Sequence, residues 1–341
     1  MRRFVPGWAL KASAVAAMVV AILSATACAL PGLPKNEVSV SPQSGDAYKA
    51  LKDAVDQVKD GGTVRLGAGT YKLSESLRIV KSVKLVGEGV TKTKIVGSSG
   101  EAVVEINGHA DVSVEGVAFT RAGEQSGDVV EVVAGSGAFR ACAFSGGVAG
   151  EVAGGNGLAF YNDAKGVVED CVVADNWRSG IHVQDTAEVT LTGNTCEKNE
   201  EAGIAFLGRS KGTAEGNTCQ KNQLDGIHVQ DAARPMLVKN KCYHNRQAGI
   251  MYLGTAGGMA SQNKIVENAG SGISVGEKAA PELLTNTITK SPYCIAYYDS
   301  AAGVARGNTC VTRGTSNIGI AVFDKARPKL VDNKSSVNLT S

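Results

Sequence analysis

Aromatic residues make up only 5% of this 341-residue chain, few for a surface that stacks sugars or bases along its whole length. Charge of either sign is in no excess: Lys and Arg number 35, Asp and Glu 33, and there are four histidines. Three of the basic residues, Arg2, Arg3 and Lys11, fall in the first 27, so the remainder carries 32 against 33, a net of −1. That balance leaves no basic footprint and excludes nucleic acid as a partner. A local groove can still differ from the average, which keeps an anionic glycan open.

What the chain has is a beat. Glycine recurs every 23 residues at Gly157, Gly180, Gly203, Gly226, Gly249 and Gly272, the mark of a stacked-repeat protein. An apolar residue follows each glycine (Leu158, Ile181, Ile204, Ile227, Ile250, Ile273), and a second stands two places on (Phe160, Val183, Phe206, Val229, Tyr252, Val275). A coil of 23 residues is too short for a helix pair, and alternation within short runs is a strand signal. Glycine and asparagine tolerate φ > 0 and are expected at the corners. The reading is all-β: a single right-handed parallel β-helix solenoid, each strand pairing with its equivalent one coil on, about 4.8 Å away. The isoleucine row from Ile181 to Ile273, extended by Ile295 and Ile320, is an inward column.

Two further rows keep the register. Asn194, Asn217, Asn240, Asn263 and Asn286 continue as Asn308 and Asn333, and are expected to form a ladder of side-chain amides. Cys196, Cys219 and Cys242 give way to Ile265 and Ile288 in the same slot, which marks it as apolar and inward. Buried thiols are the expectation. A disulfide framework is the rival in an exported chain, but stacked parallel side chains have poor geometry for it.

The first 27 residues carry a basic start, an apolar run from Ala12 to Leu23, and Ala25-Thr26-Ala27 before Cys28: an export signal. Cleavage there is either ordinary or of the bacterial lipoprotein type. In the second case Cys28 is lipidated and the chain is anchored to the cell envelope; otherwise it is periplasmic or secreted. The only membrane contact expected is through that lipid. Residues 28–43, with Pro31, Pro34 and Pro42, read as a linker, and 44–341 as the solenoid domain. An amphipathic helix opens the domain, with Tyr48, Leu51, Val55 and Val58 on one face, Ser44 or Asp46 as N-cap, and Gly61-Gly62 as its stop. It caps the open end of the solenoid. Less regular coils span 63–80, 83–106 and 112–133, and the glycine-rich stretch 145–156 is expected to loop outward.

The lead-in Ala-Leu-Lys-Asp-Ala-Val at 50–55, Gly-Gly-Thr-Val-Arg-Leu at 61–66, Gly-Thr-Tyr at 69–71 and Val-Lys-Leu-Val-Gly-Glu at 83–88 resembles the start of many pectin-lyase-like β-helix proteins. The Gly-Ile repeats closing in Asn-Thr-Cys are similar to NosD-type periplasmic proteins and to the β-helix of a eukaryotic F-box family. The resemblance covers about residues 44–335 and the class described as carbohydrate-binding and sugar-hydrolase repeats. It implies the fold, and a function among lyases, hydrolases, epimerases and non-catalytic binders; a shared fold does not carry the chemistry. The Asp-Pro-His-Asp motif of alginate epimerases is absent, as are the paired aspartates and Gly-His-Gly of polygalacturonases.

One feature lies over the basic period. Gly-Ile-His-Val-Gln-Asp stands at 180–185 and again, unchanged, at 226–231, with Gly-Ile-Ala-Phe-Leu-Gly between. Strand alternation turns His182, Gln184, His228 and Gln230 outward, with Ala205 between the histidines. Asp185 and Asp231 sit at the strand ends and Arg209 in the intervening coil. Three readings stand. The first is a duplicated two-coil unit that kept its surface residues. The second is a polysaccharide-binding face using His182, Gln184, His228 and Gln230. The third is a catalytic cluster of His182, Asp185, Arg209, His228 and Asp231 abstracting a proton beside a uronic-acid carboxylate. In a variant of the third, the two histidines share a divalent metal, by analogy with the NosD-type members. No other cofactor is implied.

Overall fold

The structure, a computed structural model, describes residues 34–151, 154–311, 318–335 and 338–340. The export signal (1–27) and Cys28 lie outside the described residues. The rest winds into a parallel β-solenoid in which each coil gives one strand to each of three sheets. Sheet A runs from Lys35–Val40 to Lys329–Val331, sheet B from Gly69–Leu73 to Lys334–Ser335, and sheet C from Leu77–Ile79 to Asn338–Thr340. The register is that of the repeat: in sheet C, Ile181 pairs with Ile204, then Ile227, Ile250, Ile273, Ile295 and Ile320. Cys196, Cys219 and Cys242 stack in one column of sheet B, fully buried and free, and Ile265, Ile288 and Cys310 continue it.

The asparagine ladder forms. Asn217 uses all four of its hydrogen-bonding positions: its Nδ2 donates to Leu191 O (2.9 Å) and to Asn240 Oδ1 (3.0 Å), while its Oδ1 accepts from the backbone and side-chain nitrogens of Asn194, both at 2.9 Å. The pattern repeats down to Asn333. At its upper end Cys171 and Cys142 take the asparagine's place, Cys171 Sγ accepting from Cys142 N at 3.4 Å. A second ladder, missed in the sequence although it keeps the same period, runs through Asn176, Asn199, Asn222, Asn245 and Asn268 at the next corner.

This second ladder corrects the reading of the glycines. None of the six periodic glycines has φ > 0. They are glycines because a Cβ would have no room: at Gly203 it would stand 2.8 Å from Gly226 O and 2.9 Å from Asn222 Nδ2. Left-handed positions include the residues just before each ladder asparagine, among them Gly193 and Gly216 for one ladder and Lys198, Lys221 and His244 for the other.

Three other expectations change. Lys35–Val40, inside the stretch expected as linker, is a strand of sheet A pairing with Val58–Leu66, because Val38 and Val40 meet Val64 and Leu66 across the ladder. The helix is Tyr48–Gln57, and it gives way directly to a strand at Val58, so Gly61-Gly62 lies within that strand and does not stop it. Ala47 is the N-cap, without a side-chain bond; Asp46 instead accepts from Tyr48 N (3.0 Å) and Ser74 N (3.2 Å), tying the helix start to the next coil. Leu51, Ala54 and Val55 seal the first coil, so the helix caps the solenoid as expected. The glycine-rich segment does not loop outward at Val148, which exchanges backbone bonds with Gly127 (2.8 and 3.1 Å).

Crowding and conformation give different costs for substituting glycine. Gly203→Ala is expected to lower unfolding free energy by about 1–3 kcal/mol, as over-packing does. Gly216→Asn, at φ +67 with nothing within 4 Å, should cost less than about 1 kcal/mol. Urea unfolding of the two variants checks this; equal costs would restore the conformational explanation.

Candidate functional site

The outer face of sheet C carries three columns of side chains. The central one runs Glu105, Glu131, Ala159, His182, Ala205, His228, Met251 and Ser274, one residue per coil. Three residues before each lies a second column, containing Asp128, Asn156, Ser179, Ala202 and Asp225. Two residues after each lies a third, containing Tyr161, Gln184, Leu207, Gln230 and Leu253. Around His182 and His228 these columns line an open groove of about 370 Å³, with Arg178 and Glu201 at its side.

The sequence brings the two histidines and two glutamines together as expected. His182 Nε2 is 2.9 Å from Gln184 Oε1, and His228 Nε2 is 3.0 Å from Gln230 Oε1, so each ring donates outward to its glutamine. The two sites differ behind the ring. Asp225, 2% exposed, stands 2.9 Å from His228 Nδ1, and its other oxygen accepts from Ala248 N at 2.9 Å. At His182 the equivalent residue is Ser179, and the ring lies instead against Tyr161, 5.7 Å between centroids. Burial pushes the His228 imidazole down, but the Asp225 hydrogen bond and charge outweigh it and hold the pKa above its ordinary value. Asp225 was missed in the sequence because it falls outside the duplicated hexapeptide.

The other candidates stand elsewhere. Asp185 and Asp231 are turn residues with φ near +60, and each carboxylate accepts a backbone N–H from the preceding coil, Asn162 N and Gly208 N respectively, at 2.9 Å. Glu277, Asp299 and Asp324 repeat this bond at the same corner, which marks it as corner chemistry. Arg209 is exposed, forms no ion pair among the described residues, and lies off the groove. His109 and His244 are left-handed corner residues on other turns. Among the described residues no group of three His, Cys, Asp or Glu can hold a metal ion. The donor set around His182 and His228 therefore does not fit one: Ala205 separates the rings and each Nε2 is engaged by glutamine.

The face continues toward the N-terminus in a carboxyl cluster that the sequence reading did not single out. Asp128, fully buried, accepts from Asn156 N (2.7 Å), Asn156 Nδ2 (3.0 Å) and the Tyr161 hydroxyl (2.7 Å). Beside it the buried Arg121 donates to the carbonyls of Ser99, Gln125 and Asp128. Burial, then the charges of Asp128 and Glu105, push the Glu131 carboxyl up to about 7 against the opposing pull of Arg121.

Two measurements follow. In Asp225→Asn the charge that offsets burial at His228 is lost, so its pKa, followed by NMR titration, should fall; an unchanged value would remove Asp225 from the site. For Glu131 the folded state holds a proton to about pH 7, whereas the unfolded chain releases it near 4.5. The native state then binds more protons in that window, and stability falls as pH rises through it. Wild-type protein should lose on the order of 1–3 kcal/mol of unfolding free energy between pH 5 and 8 that Glu131→Gln retains. Parallel slopes in urea titrations would refute this.

Comparison with known proteins places this geometry. The family described as "Right handed beta helix region" matches residues 102–262, and that described as "Periplasmic copper-binding protein (NosD)" matches residues 210–338. No curated protein matches the sequence significantly. Among solved structures, the A-module of the Azotobacter vinelandii mannuronan C-5 epimerase AlgE4 aligns over 89% of this chain and 93% of its own, with 16% identity and a TM-score of 0.66. The Dettilon tailspike protein aligns over 87% and 68%, with 14% identity and a TM-score of 0.69. The catalytic unit of a Streptomyces thermodiastaticus α-1,3-glucanase aligns over 92% and 71%, with 16% identity and a TM-score of 0.54. Identities this low speak for the fold alone. The coil, the ladders and these matches together show a right-handed parallel β-helix fold, with residues 102–262 and 210–338 similar to the two families described.

Proposed function

We propose that this chain is an exported β-helix protein that binds an extended polysaccharide along the outer face of sheet C. The observation that carries the reading is the open groove at His182, Gln184, His228 and Gln230, where hydrogen-bonding side chains repeat along the solenoid axis on a rigid floor. An open groove lined by three successive coils suits a chain ligand better than a small molecule. Trp177, 60% exposed and next in sequence to Arg178 of the groove, offers an aromatic face for a sugar ring. The similar solved structures include a mannuronan C-5 epimerase and an α-1,3-glucanase, which supports the ligand class. Export rests on the N-terminal segment, with Cys28 as the lipid anchor to the cell envelope. Among the described residues no helix is long and apolar enough to cross a membrane.

A second reading, lyase or epimerase action on uronic-acid glycans, is favoured by one observation, the His228–Asp225 pair. A histidine oriented by a buried carboxylate is equipped to take or give a proton beside a sugar carboxylate. Asp185, Asp231 and Arg209 have no part in it, and Arg178 is the cation within the groove. The metal-handling alternative lacks a donor set among the described residues.

Incubation with uronic-acid polysaccharides, followed by absorbance of the unsaturated lyase product, by proton NMR of the uronate epimers and by thermal shift, separates these readings. Binding without turnover is expected, and His182→Ala and His228→Ala should each weaken it about five- to tenfold, the worth of one hydrogen bond. Product formation that disappears in His228→Ala would make the protein an enzyme; absence of any glycan-dependent shift would dismiss both readings.

A further inference from the structure

Along the floor of the groove polar and apolar coils alternate, with Glu201 and Leu224 at its side as the exceptions. The coil of His182 presents Ser179, His182 and Gln184; the next presents Ala202, Ala205 and Leu207. The coil of His228 presents Asp225, His228 and Gln230; the next presents Ala248, Met251 and Leu253. The central and third columns switch together at every step over these four coils, and the second column, buried beneath them, switches with them from Ser179 to Ala202, Asp225 and Ala248. Because the side chains sit in register on paired strands, this makes stripes across the groove, each about 4.8 Å wide, with like stripes about 9–10 Å apart.

A chain ligand lying along the axis meets these stripes in turn. A pyranose in an extended, equatorially 1,4-linked glycan advances by about the same ~5 Å as neighbouring strands. In a chain with a two-fold screw, successive sugars are turned by half a revolution. Alternate residues then show the same edge to the surface, and the period of the ligand becomes two coils. A helically coiled glycan, or one with a three-fold screw, brings the same edge back out of step with the stripes.

We propose that the groove selects a two-fold, extended 1,4-linked polysaccharide, one sugar per coil. Hydroxyl or carboxyl edges meet the His–Gln stripes, and C–H surfaces meet the Ala–Leu and Ala–Met stripes. The proposal rests on the glycan-binding reading of the same face and adds the ligand's symmetry to it. The stripe at Ala205 and Leu207 is a specificity element: its only hydrogen-bonding side chain, Glu201, stands at the groove's side, so a sugar edge held over Ala205 and Leu207 leaves its polar groups unpaired. The duplication of Gly-Ile-His-Val-Gln-Asp with a different coil between is what a two-coil ligand repeat requires.

Calorimetric titration with cello-oligosaccharides and β-1,4-linked oligomannuronates of two to six residues, against α-1,4-linked malto-oligosaccharides, tests this on the full chain. Affinity for at least one β-1,4 series should rise most steeply from two to three residues, when both His–Gln stripes are first spanned, and the coiled malto-series should bind at least about tenfold more weakly. Leu207→Gln, and Ala205→His with it, make three polar stripes in succession and should weaken the preferred series about tenfold. Unchanged melting temperatures show that the variants fold, and Leu207→Gln alone serves if the double variant does not. Equal binding of the malto-series, or unaltered affinity in Leu207→Gln, would overturn the two-fold proposal and leave glycan binding standing. Absence of binding to these and to the uronic-acid polysaccharides would overturn both.

Discussion

Two columns of asparagine side chains, one at each of two corners, hold the turns of this solenoid in register. Each interior amide is saturated: it donates to the next amide and to a backbone carbonyl, and it accepts from the previous coil. A buried amide with any of these bonds unmade carries a desolvation cost of about 1–3 kcal/mol, so a coil shifted by one residue is penalised at both corners at once. Much else follows from this. The residue before each asparagine enters the left-handed region to aim the amide inward, and that is why aspartate, lysine and histidine appear there with φ > 0. The periodic glycines from Gly157 to Gly249 are the clearance the second ladder needs, and Gly272 gives the same clearance to Ile288 and Cys294 O.

A frame this regular leaves the outward positions free to vary without disturbing the fold. Sheet C uses that freedom in two ways. Around His182 and His228 the face is an open groove whose polarity changes coil by coil. Toward the N-terminus it carries a hydrogen-bonded cluster of buried Asp128 with half-buried Glu131 and Tyr161. The histidines belong to the open part and differ in their surroundings, Ser179 against Asp225 behind the ring and Tyr161 against Leu207 beside it. Identical hexapeptides therefore have unlike electrostatics, because the partner that sets the charge of His228 comes from the residue just before the repeated stretch.

The fold was legible in the sequence to the level of strand register. The isoleucine column, the thiol column and the first asparagine ladder could be read because each is one residue type at one spacing. The second ladder was equally periodic and passed unnoticed beside the glycines that it explains. The candidate site was legible only as a face. His182, Gln184, His228 and Gln230 follow from alternation, whereas Asp185 and Asp231 share the motif yet end in backbone bonds to the preceding coil. Adjacency in sequence placed them with the histidines, and the sharp corner after the strand turned them away.

The sequence by itself determined that this is a parallel β-helix, how many residues make a coil, and which rows face in. A period and an alternation are one-dimensional properties, and stacking converts them directly into columns. Only the tertiary structure decided why the glycines are glycines, which carboxylate serves a histidine, and which serves a corner. Those outcomes depend on contacts between coils, at distances of about 3 Å, and spacing along the chain does not encode which of two equivalent neighbours a side chain reaches.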